Sequence, residues 1–267
     1  MRRFSLVFIF LVGVVDSLTA ETQPKESVPA PEEKAVVPKV AGNLDIKNSG
    51  DGSYPVGSTP KKGTWEVDAA AKKLKVFASP LVEGWMEFGP EIREKGATMT
   101  ALVRGPGEGR LQSRFGVGLY GENGFQIRAV QVSDTLQLVR RGEVLQEVVV
   151  ELKPGEAYHF ELSVLEDEEN WGITGRVWLH ETPRPKRAMI SQKVVTEALL
   201  FPLAGRPVIT ATPFSGEPVS FLGATAYYDE YVTPDPEEKE PEKNKNVEED
   251  QEAVEEVDGE KAAVEEE

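Results

Sequence analysis

The chain has 267 residues, two histidines, no cysteine and a formal net charge of −16. Disulfides, thiolate metal sites, cysteine nucleophiles and a cysteine lipid anchor are therefore excluded, and two histidines cannot build a multi-histidine zinc centre. The acidity is concentrated: residues 233–267 hold 16 acids and 4 bases, whereas residues 61–232 hold 23 and 20, so the middle lacks the basic footprint that nucleic-acid binding needs.

"MRRFSLVFIFLVGVVDSLTA" reads as a secretory signal peptide over residues 1–20. Arg2 and Arg3 supply the charged start. Phe4 to Val15 is an apolar run of 12 residues, short of a bilayer span, and Ala20 offers a cleavage point. The remainder is expected to be secreted or periplasmic, with no membrane span after signal cleavage. An uncleaved N-terminal anchor is the alternative. Residues 21–60 carry prolines at 24, 29, 31, 38, 55 and 60 among polar residues, and read as a disordered linker. Within them "KNSGDGS" has a faint likeness to a calcium loop but lacks the distal Glu.

From residue 61 to 232 the apolar residues alternate with period two, the mark of strands with one buried face. "RFGVGLY" aligns Phe115, Val117 and Leu119, "GFQIRAV" aligns Phe125, Ile127 and Ala129, and "TLQLVR" places Leu136 and Leu138 inward. "AYHFELSV" aligns Tyr158, Phe160, Leu162 and Val164, and "WGITGRVWL" aligns Trp171, Ile173, Val177 and Leu179. Turn signals at Glu122-Asn123-Gly124, Arg141-Gly142 and Lys153-Pro154-Gly155 separate them. About a dozen short strands predict an all-β, two-sheet antiparallel β-sandwich of the jelly-roll type. "ISQKVVTEALLF" allows a short helix instead of a strand. The acids Glu166 to Glu169 sit between two strand patterns and read as a hairpin tip, where like charges face water. Residues 233–267 read as a Pro-led, acidic, disordered tail.

In order, "GTWEVDAAAKKLKVFAS", "GWMEFGPEIREKGATMTALVRG", "RFGVGLYGENGFQIRAV", "LQLVRRGEVL", "PGEAYHFELSV", "WGITGRVWL" and "GRPVITATPFSGEPVSFLGATAYY" resemble the concanavalin A-like lectin/glucanase superfamily, in its laminin-G-like (LamG-like) secreted bacterial branch. The resemblance covers about residues 61–232 and implies a jelly roll. That fold hosts lectins, hydrolases, lyases and inert spacers alike. The superfamily's retaining glucanases carry Glu-x-Asp-x-Glu on one strand, which sets three carboxylates on one face. This sequence has no such triplet, and no Gly-x-Ser-x-Gly elbow or phosphate-cradling loop.

Three candidate sites follow. His159, Glu161 and Ser163 share one side of a strand, and Thr174, Arg176, Trp178 and His180 share one side of the next. Together, His159, Glu161, Arg176 and Trp178 present an aromatic platform with hydrogen-bonding groups, as carbohydrate recognition requires, or else a solvated face with Glu–Arg pairing across strands. Gly116 and Gly118 leave room for a ligand or for tight packing. Arg104, Arg114, Arg128, Arg140 and Arg176 would hold an acidic polysaccharide if they shared a face, and otherwise pair with acids. The expectation is a secreted, non-catalytic module that binds extracellular polysaccharide. A glycan-acting hydrolase or lyase with a divergent site, and a structural envelope protein, are the alternatives. No cofactor is expected; Ca2+ is the one ion for which the acidic hairpin tip leaves room.

Overall fold

The structure is a computed structural model that describes residues 36–231, except 80–81, 108–112, 168 and 215. The expected signal peptide, the whole acidic tail and the first part of the expected linker lie outside the described residues. The described chain is all-β, with only three single-turn 3-10 segments beside fifteen strands.

Two antiparallel sheets form the sandwich. Sheet A runs, in spatial order, β13 (Ile190–Val195), β12 (Asn170–Leu179), β11 (Ala157–Asp167), β6 (Gly96–Arg104), β15 (Val219–Tyr231), β4 (Lys73–Phe77) and β3 (Thr64–Asp68). An eighth strand, β1 (Val36–Asn43), also pairs with β15. Strand β15 serves both on one flank: Val219 to Phe221 pair with β4 and the later residues with β1. Sheet B runs β10 (Glu143–Val149), β9 (Thr135–Arg140), β8 (Phe125–Val130), β7 (Arg114–Leu119), β14 (Val208–Thr212), β5 (Gly84–Phe88) and β2 (Ser58–Lys62).

The alternation read from the sequence sets the register of both sheets, because a one-residue slip would turn every apolar side chain outward. Tyr158, Phe160, Leu162, Val164, Ile173 and Val177 of sheet A pack against Phe115, Val117, Leu119, Phe125, Ile127 and Leu138 of sheet B in one continuous core. Phe115 and Phe160 meet edge-on across the sheets, with ring centroids 5.8 Å apart. The turn signals fall where expected: Arg141 and Gly142, both at positive φ, close the hairpin between β9 and β10.

The structure differs from the sequence reading in two places. Residues 36–60, expected as linker, carry β1 and β2. Ala41, Leu44 and Ile46 are buried, which supplies the apolar area that the proline content had obscured. Pro38 and Pro60 fall in flanking strands, where a missing N–H interrupts no ladder between two neighbours. The stretch around residue 190 forms β13 and then one 3-10 turn, Thr196–Ala198, rather than a helix, because pairing with β12 holds it extended.

Candidate functional site

The outward side of sheet A is set by pairing across β6, β11 and β12. Leu102, His159 and Trp178 form one row, Thr100, Glu161 and Arg176 the next, and Thr98, Ser163 and Thr174 the third. The four residues singled out in the sequence therefore share one face. The structure divides them into two groups with different chemistry.

The first group is aromatic. The His159 ring lies nearly parallel to the Trp178 indole, with centroids 5.0 Å apart and planes at 17°. On its other flank His159 Nε2 meets His180 Nδ1 at 2.9 Å. Burial, and then the neighbouring His180, push the His159 pKa below its usual value. His159 lines a hollow of about 310 Å³ between β6 and the segment that follows β1. Its polar lining comes from Asn43, Asp45, Lys47, Thr100 and Thr225, and its floor from Leu102, Gly223 and Ala224. Trp178 lines a second hollow of about 380 Å³, with Tyr158, Lys153 and Thr182. The histidine–tryptophan stack thus stands between two hollows.

The second group is ionic. Glu161 is 7% exposed. Its Oε1 accepts from Arg176 Nη1 at 2.5 Å and from Arg184 Nη2 at 2.6 Å, and its Oε2 accepts from Arg184 Nε at 2.5 Å. Burial alone would raise the Glu161 carboxyl, but the Arg184 and Arg176 guanidiniums outweigh it and hold the pKa below the usual carboxylate range. A carboxylate held in this way is a poor general acid, and three of its about four acceptor positions are taken. Arg184 was not among the sequence candidates. It lies between Pro183 and Pro185 in the loop after β12, and that flanking pair of prolines was the available signal.

The other candidates separate. Arg104 and Arg176 lie in sheet A, while Arg114, Arg128 and Arg140 lie in sheet B, so the five arginines do not share one face. Arg140 sits over the Phe125 ring, and Arg114 over Phe214. At Gly116 a Cβ would stand 2.0 Å from the Ile127 carbonyl oxygen, so close packing of β7 on β8 requires glycine there. At the hairpin tip, Glu166 pairs with Lys95 at 2.9 Å and Asp167 with Lys193 at 3.7 Å. Trp171, next to the tip, is buried in the core against Tyr120. In the loop that had a faint calcium likeness, Asp45 accepts from Asn48, and Asp51 from the Ala69 N–H. Among the described residues no three His, Asp or Glu side chains converge as metal ligands would, and no helix is long and apolar enough to cross a membrane.

No family model matches the chain, and no curated protein is similar enough in sequence to count as a relative. Its shape does have counterparts among solved structures. The carbohydrate recognition domain of Emp46p superposes with a TM-score of 0.50 at 10% identity, over 69% of this chain and 95% of that one. The carbohydrate binding module CBM66 from Bacillus subtilis gives 0.45 at 13% identity, over 64% and 94%. The seed lectin of Lotus tetragonolobus gives 0.48 at 9%, over 70% and 98%. The fold is the concanavalin A-like jelly roll that the sequence resemblance implied.

Proposed function

We propose that the chain is an exported, non-catalytic β-sandwich module that binds carbohydrate on the outward face of sheet A. The observation that carries this reading is the His159–Trp178 stack beside a hollow lined by amide, hydroxyl and carboxylate groups. Saccharides present apolar C–H faces to aromatic rings and hydroxyls to planar polar side chains, and this surface offers both. Glu161, the acid at the centre of the face, is neutralised by two guanidiniums, which favours binding over hydrolysis. In this reading His159 and Trp178 touch the sugar, whereas Glu161 and Arg176 keep the face in shape. The use of the same fold as a carbohydrate recognition domain in Emp46p agrees with this. Export rests on the charged and apolar start of the chain, Arg2 to Val15.

The test is a glycan array, followed by calorimetry and a turnover assay on each hit. Trp178→Ala is expected to weaken binding about tenfold, the loss of one aromatic contact. Product release that disappears in Glu161→Gln would replace the module with an enzyme.

A further inference from the structure

The opposite face of the sandwich holds a second constellation that the sheet A reading leaves unused. Strand pairing aligns Lys62, Trp85, Thr210, Gly116, Arg128, Gln137 and Glu147 in one row on the outward side of sheet B. Beside it Glu87, Val208, Gly118, Gln126 and Val139 form a parallel row. A hollow of about 340 Å³ opens on this face, lined in part by Lys62, Trp85, Gln126, Arg128 and Arg141.

Three groups in this hollow have unmet hydrogen-bonding capacity. Trp85 is 6% exposed, and its indole Nε1–H is buried with no acceptor among the described residues. Gln126 is 7% exposed, and its amide has no hydrogen-bond partner among the described residues. Arg128 donates from Nε to Gln137 Oε1 at 2.9 Å, and Gln137 in turn donates to Glu147. That chain fixes the guanidinium plane and leaves its two terminal nitrogens without a protein partner among the described residues. Buried polar groups are normally satisfied, and the Trp85 N–H is an exception among the described residues, while the Gln126 amide and the Arg128 terminal nitrogens stay open to the hollow.

We propose that this hollow is a second binding site, for a carboxylate-bearing saccharide. The carboxylate lies on the fork of Arg128, and the ring lies along Trp85 and Val139. A fixed guanidinium with both terminal nitrogens open matches a carboxylate bidentately. The Gln126 amide serves a sugar oxygen. Two acids, Glu83 and Glu122, also line the hollow, and Glu122 stands 3.9 Å from Lys62. They disfavour a phosphate-dense ligand and leave a single carboxylate as the anion that fits. This site is on the other sheet from the carbohydrate face proposed on sheet A, and each holds without the other.

Calorimetry on the full chain tests it, with tetrasaccharides of galacturonate, glucuronate and mannuronate and the carboxyl-reduced counterpart of each. At least one acidic tetrasaccharide is expected to bind at least ten times more tightly than its reduced form. Arg128→Gln should cost a further tenfold or more, with Arg128→Lys in between, since lysine keeps the charge and loses the fork. Lys193→Gln, which removes a cation from sheet A, should leave this binding unchanged. Trp85→Phe should abolish the change in tryptophan fluorescence on binding. Equal affinity for acidic and reduced forms, full binding by Arg128→Gln of unchanged melting temperature, or no acidic tetrasaccharide bound at millimolar concentration would each overturn the proposal. None of these outcomes bears on the Trp178 test, and failure of the Trp178 test leaves the Arg128 result standing.

Discussion

Replacing Glu161 with glutamine isolates the ionic group on sheet A, because the side chain keeps its shape and loses only its charge. Two cations are then left behind. Arg176 has a side chain 14% exposed, and its Nε is already buried without a hydrogen-bond partner among the described residues. Its guanidinium has no easy route to water. Arg184 is 52% exposed and can swing outward, so its share is discounted towards that of a surface pair. Removing one partner of a fully buried pair costs about 3–5 kcal/mol. With half of this cluster able to resolvate, the expected loss is about 2–3 kcal/mol. For a domain of this size that lowers the melting temperature by roughly 5–10 °C. Urea unfolding is the direct assay, and the midpoint should fall with the slope unchanged. The same logic orders the partners: Arg184→Ala should cost under about 1 kcal/mol, and Arg176→Ala clearly more. A Glu161→Gln loss below about 0.5 kcal/mol would show that the guanidiniums hydrate in place, and the argument from burial would fail. The pH dependence has a fixed sign. Because the folded pKa of Glu161 is lowered, its contribution is complete above the unfolded glutamate value near pH 4.3 and disappears as pH falls through the lower folded value.

Removing residues 1–46 should destabilise the sandwich by about 3–5 kcal/mol relative to removing residues 1–35, since Ala41, Leu44 and Ile46 leave the core with β1. Equal urea midpoints for the two truncations would refute the pairing of β1 with β15. Gly116→Ala should cost more than about 3 kcal/mol, because its Cβ would meet backbone at 2.0 Å and strands cannot yield that far; soluble protein with a native melting temperature would contradict the close approach of β7 to β8. His159 has a depressed pKa, so its stabilising effect is full above the unfolded value near pH 6.5 and is lost as pH falls through the folded value. An NMR titration should show His159 taking up its proton below pH 6.5, and stability should decline over the same range. A His159 midpoint above 6.5 would place the imidazole in a setting other than the one between Trp178 and His180.

The sheets were legible because burial on one face writes itself as alternation. In β12, Trp171, Ile173 and Val177 are buried, while Thr174, Arg176 and Trp178 are only partly so, as the spacing predicted. The flanks were less legible, for two physical reasons. A flanking strand needs few buried residues, so the segment of β1 shows Ala41 and the following Leu44 and Ile46 as its buried hydrophobics among the described residues, against a background of proline and lysine. The sheet B face was hidden by the opposite effect: Gln126 reads as a solvated polar position, yet it is 7% exposed. Alternation reports which side chains are apolar and is silent on how deep the polar ones lie.

The same limit explains which part of the sheet A site could be read. Residues two apart on β11 and their partners on β12 fall on one face by the pleat alone, so His159, Glu161, Arg176 and Trp178 were found together. Arg184 comes from a loop, and no periodicity places it. Its arrival changes the meaning of Glu161, since Arg184 adds two hydrogen bonds and a second positive charge to the single bond from Arg176. The cross-strand Glu–Arg pairing and the aromatic platform, which the sequence left as competing descriptions of one surface, describe adjacent rows of it. On the proposed reading the sugar meets the His159–Trp178 row, where the aromatic rings stand. The Glu161 row supplies rigidity beneath it, and a substitution there should act on affinity only through stability.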